Sequence, residues 1–502
     1  MSRPTRPLVH AGLLSLFLPP VVVAATHDEN NAAHARCAGT TQAGALAPVP
    51  ADPYPLMAAG WGPESGRGLM ASRWAEDWSG VRNAGRAPAF KAMALGDAAR
   101  LTLSSEVRLR HAVSDNAKLV RGDDFAQTQL RAIVGADLRV DPHLRVYGEL
   151  GTARVDTRRA TATPNFRNDL ALQQLFADMH VVGRRDGAGD TLLGVMIGRQ
   201  EFSDGPRQLI SLSDGPNLHR SWNGVRLYAH GARYRVGAFD LRATRLGHGG
   251  FDETTDHAEA LRGLTASFIV SRGEGPNTYL DPFWFHTTNP RLRVAGRTGR
   301  DDRDTIGARL WGRVGAARFD WTAVRQSGNS IDGRRIDAWG IFAVQSLALS
   351  DDGWKARMTS RVDVASGGGA YGSGPIRDFH PLYASSNYLG EGQFLGLSNL
   401  LMVTPGIALS PTPHTTLSFE YGHARRLRTN DAVYAGGLRA YAGTQDVSGH
   451  DVGRLARVSG NWNATPNLSL SMNVEHFATG DALARAGYPS GHYAYVSATY
   501  RY

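Results

Sequence analysis

From Leu101 onward the chain alternates between apolar and polar side chains. In LTLSSEVRLR (101–110), Leu101, Leu103, Val107 and Leu109 face one way, while Thr102, Ser104, Glu106, Arg108 and Arg110 face the other. AQTQLRAIVGADLRV (126–140) repeats the pattern, setting Ala126, Leu130, Ala132 and Val134 against Gln127, Gln129, Arg131 and Asp137. LRVYGELG (144–151) puts Arg145 and Glu149 on one face. KARMTSRVD (355–363) opposes Lys355, Arg357, Thr359, Arg361 and Asp363 to Ala356, Met358, Ser360 and Val362. NLSLSMNVE (467–475) does the same with Leu468, Leu470, Met472 and Val474. A period of two sustained over such segments predicts β-strands, each with one apolar face.

The connections alternate as well. Tight ones at 141–143, 230–231 and 465–467 trade off with long polar ones at 156–169, 200–221 and 365–395. Short turns at one end and long loops at the other are the pattern of an outer-membrane barrel. A soluble sandwich or propeller also alternates, but its outer face does not need charged residues at several successive positions, and no repeat of blade length is present. The expected fold is therefore an all-β transmembrane antiparallel barrel over residues 96–502. The length accommodates about 16–18 strands. The ending YVSATYRY fits: Tyr500 and Tyr502 fall on the lipid parity, and a last strand paired with the first leaves no edge.

Composition narrows the compartment. The chain has 502 residues, 42% of them hydrophobic, and a single cysteine, Cys37, which excludes an internal disulfide framework. Mean hydropathy is −0.30, too polar for a helical membrane bundle. Arg3 and Arg6 precede an apolar run, Leu8–Val23, and small residues at Val23 and Ala25. That reads as a secretory signal over 1–25, cleaved after Ala25. Residues 26–95 are expected to be a periplasmic lead-in, partly disordered.

Losing Arg3 and Arg6 with the signal takes the formal charge from +9 to +7. Placement matters more than this total. Arg108, Arg110, Arg131, Arg145, Arg226, Arg309, Arg313, Lys355, Arg357 and Arg361 fall on the polar, hence lumenal, parity, and Arg199 is added as a lumen cation. Glu106, Asp137, Glu149, Asp178, Glu201 and Asp363 are interleaved acids. Cations in a low-dielectric wall concentrate anions, and the guanidinium fork suits carboxylates.

Other chemistry is weakly supported. There is no G-x-S-x-G or H-E-x-x-H motif and no phosphate-binding glycine loop, so an enzyme is not expected. His180, His286, His380 and His476 are scattered. Asp301, Asp302 and Asp304 are acidic enough for Ca2+ in an extracellular loop but lack a full ligand set, and read as a solvated turn. The glycine-rich loop 365–395 is a candidate gate.

Several motifs, in order, resemble the alginate export family of outer-membrane porins. RWAEDWSGVR (73–82) with LTLSSEVRLR is similar to the family's opening segment and first strand. LQQLFADMHV (172–181) and LLGVMIGRQEF (192–202) resemble a hairpin ending in Gly-Arg-Gln. SWNGVRLYAH (221–230), DTIGARLWG (304–312) and DWTAVRQSG (320–328) resemble the next strands. VDVASGG (362–368) and DFHPLYASSNYLG (378–390) resemble the stretch around its Phe-x-Pro-Leu-Tyr motif. Two family carboxylates are missing: Gly368 stands for one, and Asp451 is the only acid in GHDVGRLARV (449–458). The resemblance implies an 18-stranded pore passing a carboxylated polysaccharide by diffusion. It also implies partners: outer-membrane lipid, the barrel assembly machinery acting on Tyr502, and periplasmic export proteins. No nucleic acid is expected.

Overall fold

A computed structural model describes residues 68–78, 88–157, 163–183, 191–204, 207–271 and 277–502. The expected signal peptide with its cleavage after Ala25, Cys37 and the expected lead-in up to residue 67 lie outside the described residues.

Eighteen antiparallel strands close on themselves. In chain order, β1–β6 are Ala99–Asp115, Phe125–Arg139, Leu144–Thr157, Asn168–Gly183, Thr191–Glu201 and Ser221–Gly231. Strands β7–β12 are Tyr234–Arg245, Thr254–Ile269, Thr278–Val294, Arg297–Val314, Ala317–Ser330 and Arg334–Ala348. Strands β13–β18 are Arg357–Ala365, Leu400–Thr412, Thr415–Arg425, Asp451–Asn463, Leu468–Thr479 and Gly491–Arg501. Neighbours in sequence pair throughout, and β18 pairs with β1 from Glu106↔Arg501 to Asp115↔His492. In a bilayer this closure pairs the backbone groups that an open edge would leave bare.

Two edges need extra cover, and each gets it. β18 does not reach the periplasmic end of β1, and the short strand Met93–Leu95 pairs there instead, with Met93 opposite Leu101. β5 pairs with β4 only from Leu175 onward, so the first residues of β4 bond the 246–253 loop through Leu170 and Gly249.

The parity read from sequence sets the two faces of the wall. Val107, Leu109, Val134 and Val496 point outward and are exposed, while Glu106, Arg108, Arg110 and Arg131 on intervening positions are buried inside. Tyr500 is 47% exposed on the outer face. Tyr502 is not a free lipid anchor: its hydroxyl donates to the Ala89 carbonyl at 2.6 Å, and its ring lies 5.2 Å from Lys91 Nζ. Wall glycines make room for lumenal aromatics; a Cβ on Gly194 would stand 2.1 Å from Tyr228 Cζ.

The barrel is not simply hollow. Phe239, Phe283, Phe285 and Phe342 point inward from the wall and join one apolar core with Phe202 and Phe394 of two inward-folded loops. Those loops, 202–220 between β5 and β6 and 366–399 between β13 and β14, match the long connections read from sequence. The tight 230–231 turn falls two residues later, at 232–233. The expected solvated turn at 301–304 is strand: the hairpin bends at Ala295–Gly296, so Asp301 and Arg303 point inward as a bidentate pair at 3.0–3.1 Å. No group of three metal-binding side chains occurs among the described residues.

Candidate functional site

The lumenal arginines are placed by strand register, and several find partners across the interior. On β1 and β2, Arg108 and Arg131 converge on Asp214 from loop 202–220. Arg131 Nη1 is 2.6 Å from Asp214 Oδ1, and Arg108 Nη1 is 3.1 Å from the same oxygen. Arg108 also donates to the Asp214 and Pro216 carbonyls at 2.9 and 2.6 Å. The other side of Arg131 pairs with Glu106, which accepts from Arg501 at 2.7 Å.

His219, from the same loop, closes this cluster. Its Nε2 lies 2.6 Å from Asp214 Oδ1, and its Nδ1 meets Glu201 Oε1. Burial alone would lower its pKa, but Glu201 and Asp214 outweigh that and push it up to about 9. The imidazole is then a cation with both nitrogens donating, so its 3.0 Å approach to Arg131 Nη1 is a meeting of two cations over one carboxylate. The Asp214 side chain is exposed, and Arg131 and Arg108 hold its carboxyl well below the usual range.

A second cluster clamps residues 388–392 of loop 366–399. Arg361 pairs with Asp363 on β13, donates to the Tyr388 carbonyl at 3.1 Å, and sits 4.1 Å from the Tyr388 ring. Arg457 on β16 pairs with Glu420 and donates to the Leu389 carbonyl at 3.3 Å. Glu475 on β17 accepts from the backbone nitrogens of Glu391 and Gly392 at 2.8 and 2.9 Å. Arg110 on β1 binds Glu391 at 2.8 Å and stacks on Tyr495 at 3.7 Å.

The remaining positions separate. Arg309 pairs with Asp320 at 2.6 Å against Trp311. Arg226 lies 4.9 Å over the Phe202 ring, and Arg145 pairs with Asp137 at 2.7 Å. Asp178 accepts from Tyr228, and Glu149 from Tyr147, both at 2.7 Å. Arg357 opens β13 at its periplasmic end, on the inward parity, and Arg313 is exposed beside the turn that follows β10.

Two predicted lumen cations are misplaced. Lys355 is exposed in the 349–356 turn, because β13 begins only at Arg357. Arg199 shares a cross-strand row with the outward Leu175 and with Asn223; it bonds Asn223 and pairs with Glu253 at 3.1 Å on the outer side of the wall. Asp214, His219 and Glu391 escaped the sequence reading, since they sit in loops where no period marks a face. Arg457 and Glu475 did have a signal, the polar parity of their strands.

A closed antiparallel barrel with an apolar outer band and an ionic interior is an outer-membrane porin. The chain belongs to the alginate export family, whose sequence model matches residues 99–497. A search of curated protein sequences returns no match. Among solved structures, the outer membrane protein OpdK of Pseudomonas aeruginosa superposes with TM-score 0.52 at 13% identity, covering 81% of this chain and 99% of its own. OccK2 (OpdF) of the same organism, solved in complex with glucuronate, gives 0.52 at 11% identity over 80% and 97%. At these identities the likeness concerns the fold.

Proposed function

We propose that this porin passes an anionic, uronate-rich polysaccharide of the alginate kind by diffusion. The observation that carries the reading is the convergence of Arg108, Arg110, Arg131 and Arg361 on the two loops that fold into the lumen. The loops cover these guanidinium groups, so a solute meets them where the loops give way. Magnitude fits passage rather than capture. A cation–carboxylate contact at 4 Å is worth about 4 kcal/mol at an effective dielectric of 20, but about 1 kcal/mol in bulk water. Arginines already shared with Asp214, Glu391 and Asp363 offer weak, exchangeable contacts, as conduction requires.

The test is planar-bilayer conductance of refolded protein. Anion preference, with block by oligouronates and none by neutral oligosaccharides of equal length, is expected. Equal block by both, or cation preference, overturns the reading.

A second reading, a general anion-selective or uptake porin for smaller solutes, is favoured by one feature: two loops and their apolar core occupy the interior. Free glucuronate blocking as well as its oligomers at equal residue concentration would select it.

A further inference from the structure

The interior is entered from both ends. Residues 68–78, ahead of the first strand, run inside the wall of β2–β5. Met70, Trp74 and Ala75 are buried there with the lumenal side chains of Tyr147, Phe176 and Met196. Trp74 meets Phe176 edge-on at 6.3 Å and is 4% exposed.

Polar contacts fix the segment at each turn. Arg145 donates to the Trp74 carbonyl, and Arg73 donates to the Tyr502 carbonyl at 2.6 Å. Glu76 is enclosed by Arg73 at 2.7 Å, Lys91 at 3.5 Å and the Trp78 indole N–H at 2.9 Å. Arg139 reaches Asp77 at 3.3 Å. Lys91, itself 1% exposed, anchors to the Leu103 carbonyl at 2.8 Å. An exposed leader needs none of these; a seated one needs them all, because its polar groups have left water.

One contact ties this segment to the other end of the pore. The Trp74 indole N–H donates to Glu201 Oε2 at 3.0 Å, and Glu201 Oε1 holds His219 of the extracellular loop 202–220. The two oxygens of one carboxylate thus join what enters from the periplasm to what enters from outside.

We propose that residues 68–78 are an autoinhibitory plug of the periplasmic vestibule, and that Glu201 couples its seating to the position of loop 202–220. The plug narrows the same lumen that the proposed function uses, so the idea rests on that reading for its consequence. Its occupant is this chain's own segment, and its release requires breaking the Arg73, Trp74 and Glu76 contacts together. Once Trp74 leaves, Glu201 Oε2 loses its donor, and the His219 contact is the one that remains between wall and loop at that carboxylate.

The experiment uses the full chain with Cys37→Ser and Ala75→Cys. In refolded protein, Cys at 75 should react slowly with a charged methanethiosulfonate reagent. Adding Trp74→Ala or Arg145→Gln should speed that reaction and raise mean conductance in bilayers. A rate in the folded barrel equal to that in the unfolded chain overturns the plug. So does conductance unchanged by variants that do expose residue 75. Glu201→Gln, which keeps an acceptor for Trp74 but loses the His219 ion pair, should alter protease cleavage within 202–220; unchanged cleavage overturns the coupling. Protection at 75 in a barrel that conducts nothing, even with Trp74→Ala, would refute the porin reading and leave the seated segment standing.

Discussion

Arg110 and Glu391 are 281 residues apart in sequence and 2.8 Å apart in the lumen. The pair fastens the tip of loop 366–399 to β1, next to the seam where β18 closes the barrel. Glu391 also presents its backbone nitrogen to Glu475, so the tip is held from two strands at once. This loop is the candidate gate of the sequence reading, and its position turns on a few ionic contacts.

Glu391→Ala tests that dependence. Arg110 would keep the Tyr493 hydroxyl and the Tyr495 ring but lose its carboxylate. Breaking a buried pair costs roughly 3–5 kcal/mol, and water in the lumen brings the loss to the lower end of that range. The loop tip should loosen, giving larger and noisier single-channel conductance without loss of the folded barrel. Conductance traces identical to the parent's would show that the clamp does not position the loop.

A pH dependence follows from the extracellular loops. Tyr434 bridges two carboxyls, donating toward Asp378 at 2.8 Å and Asp431 at 3.0 Å. One hydroxyl proton cannot serve both, so a shared carboxyl proton completes the group. Burial first, and then the neighbouring Asp378, push Asp431 up to about 8. The folded state therefore binds a proton more tightly than the unfolded chain, whose Asp titrates near 3.9. The stabilisation is complete below about pH 4 and declines as pH rises, until it is gone above about pH 8. Asp431 also accepts from the Gly368 nitrogen, so loops 366–399 and 426–450 should part together. Protection of the amides at 366–378, taken relative to the base-catalysed intrinsic exchange rate, should fall between pH 6 and 9, and Asp431→Asn should flatten the response. An equal fall in that variant would assign the effect elsewhere.

Deleting Tyr502 addresses the seam. Tyr502 exchanges two backbone hydrogen bonds with Ser105, at 2.7 and 2.9 Å, and its carbonyl holds Arg73. Each such bond contributes only about 1 kcal/mol. A barrel refolded in detergent should thus lose little stability, while the fraction assembled in cells should fall if the assembly machinery reads this residue. Both are read from the heat-modifiable band on gels. Equal losses in detergent and in cells would make Tyr502 structural alone.

Strand parity was legible wherever one face was charged and the other apolar. Arg108, Arg110, Arg131 and Asp363 carry their inward direction in the sequence, because charge does not face lipid. At FWF (283–285) the signal vanishes: Phe283 and Phe285 face the inner core and Trp284 faces out, so both faces read as apolar. Lys355 was misplaced because alternation continued through a turn whose backbone did not. Arg199 follows Gly198, whose φ of 131° marks an irregularity that residue type alone does not reveal. The 301–304 acids looked like a turn because composition says nothing of an 18-residue strand that outruns its membrane span. What occupies the lumen was hidden for another reason. It depends on contacts between residues hundreds apart, and a period of two describes only the wall.

The inner apolar core crosses the seam. Ala112 of β1, Phe477 of β17 and Tyr493 of β18 belong to the same cluster as Phe394 of loop 366–399. That part of the core's surface does not exist until the first and last strands meet. The barrel therefore keeps a clock: the loop cannot settle in an unfinished cylinder, and a pore still open along its side is also one whose interior is still wet.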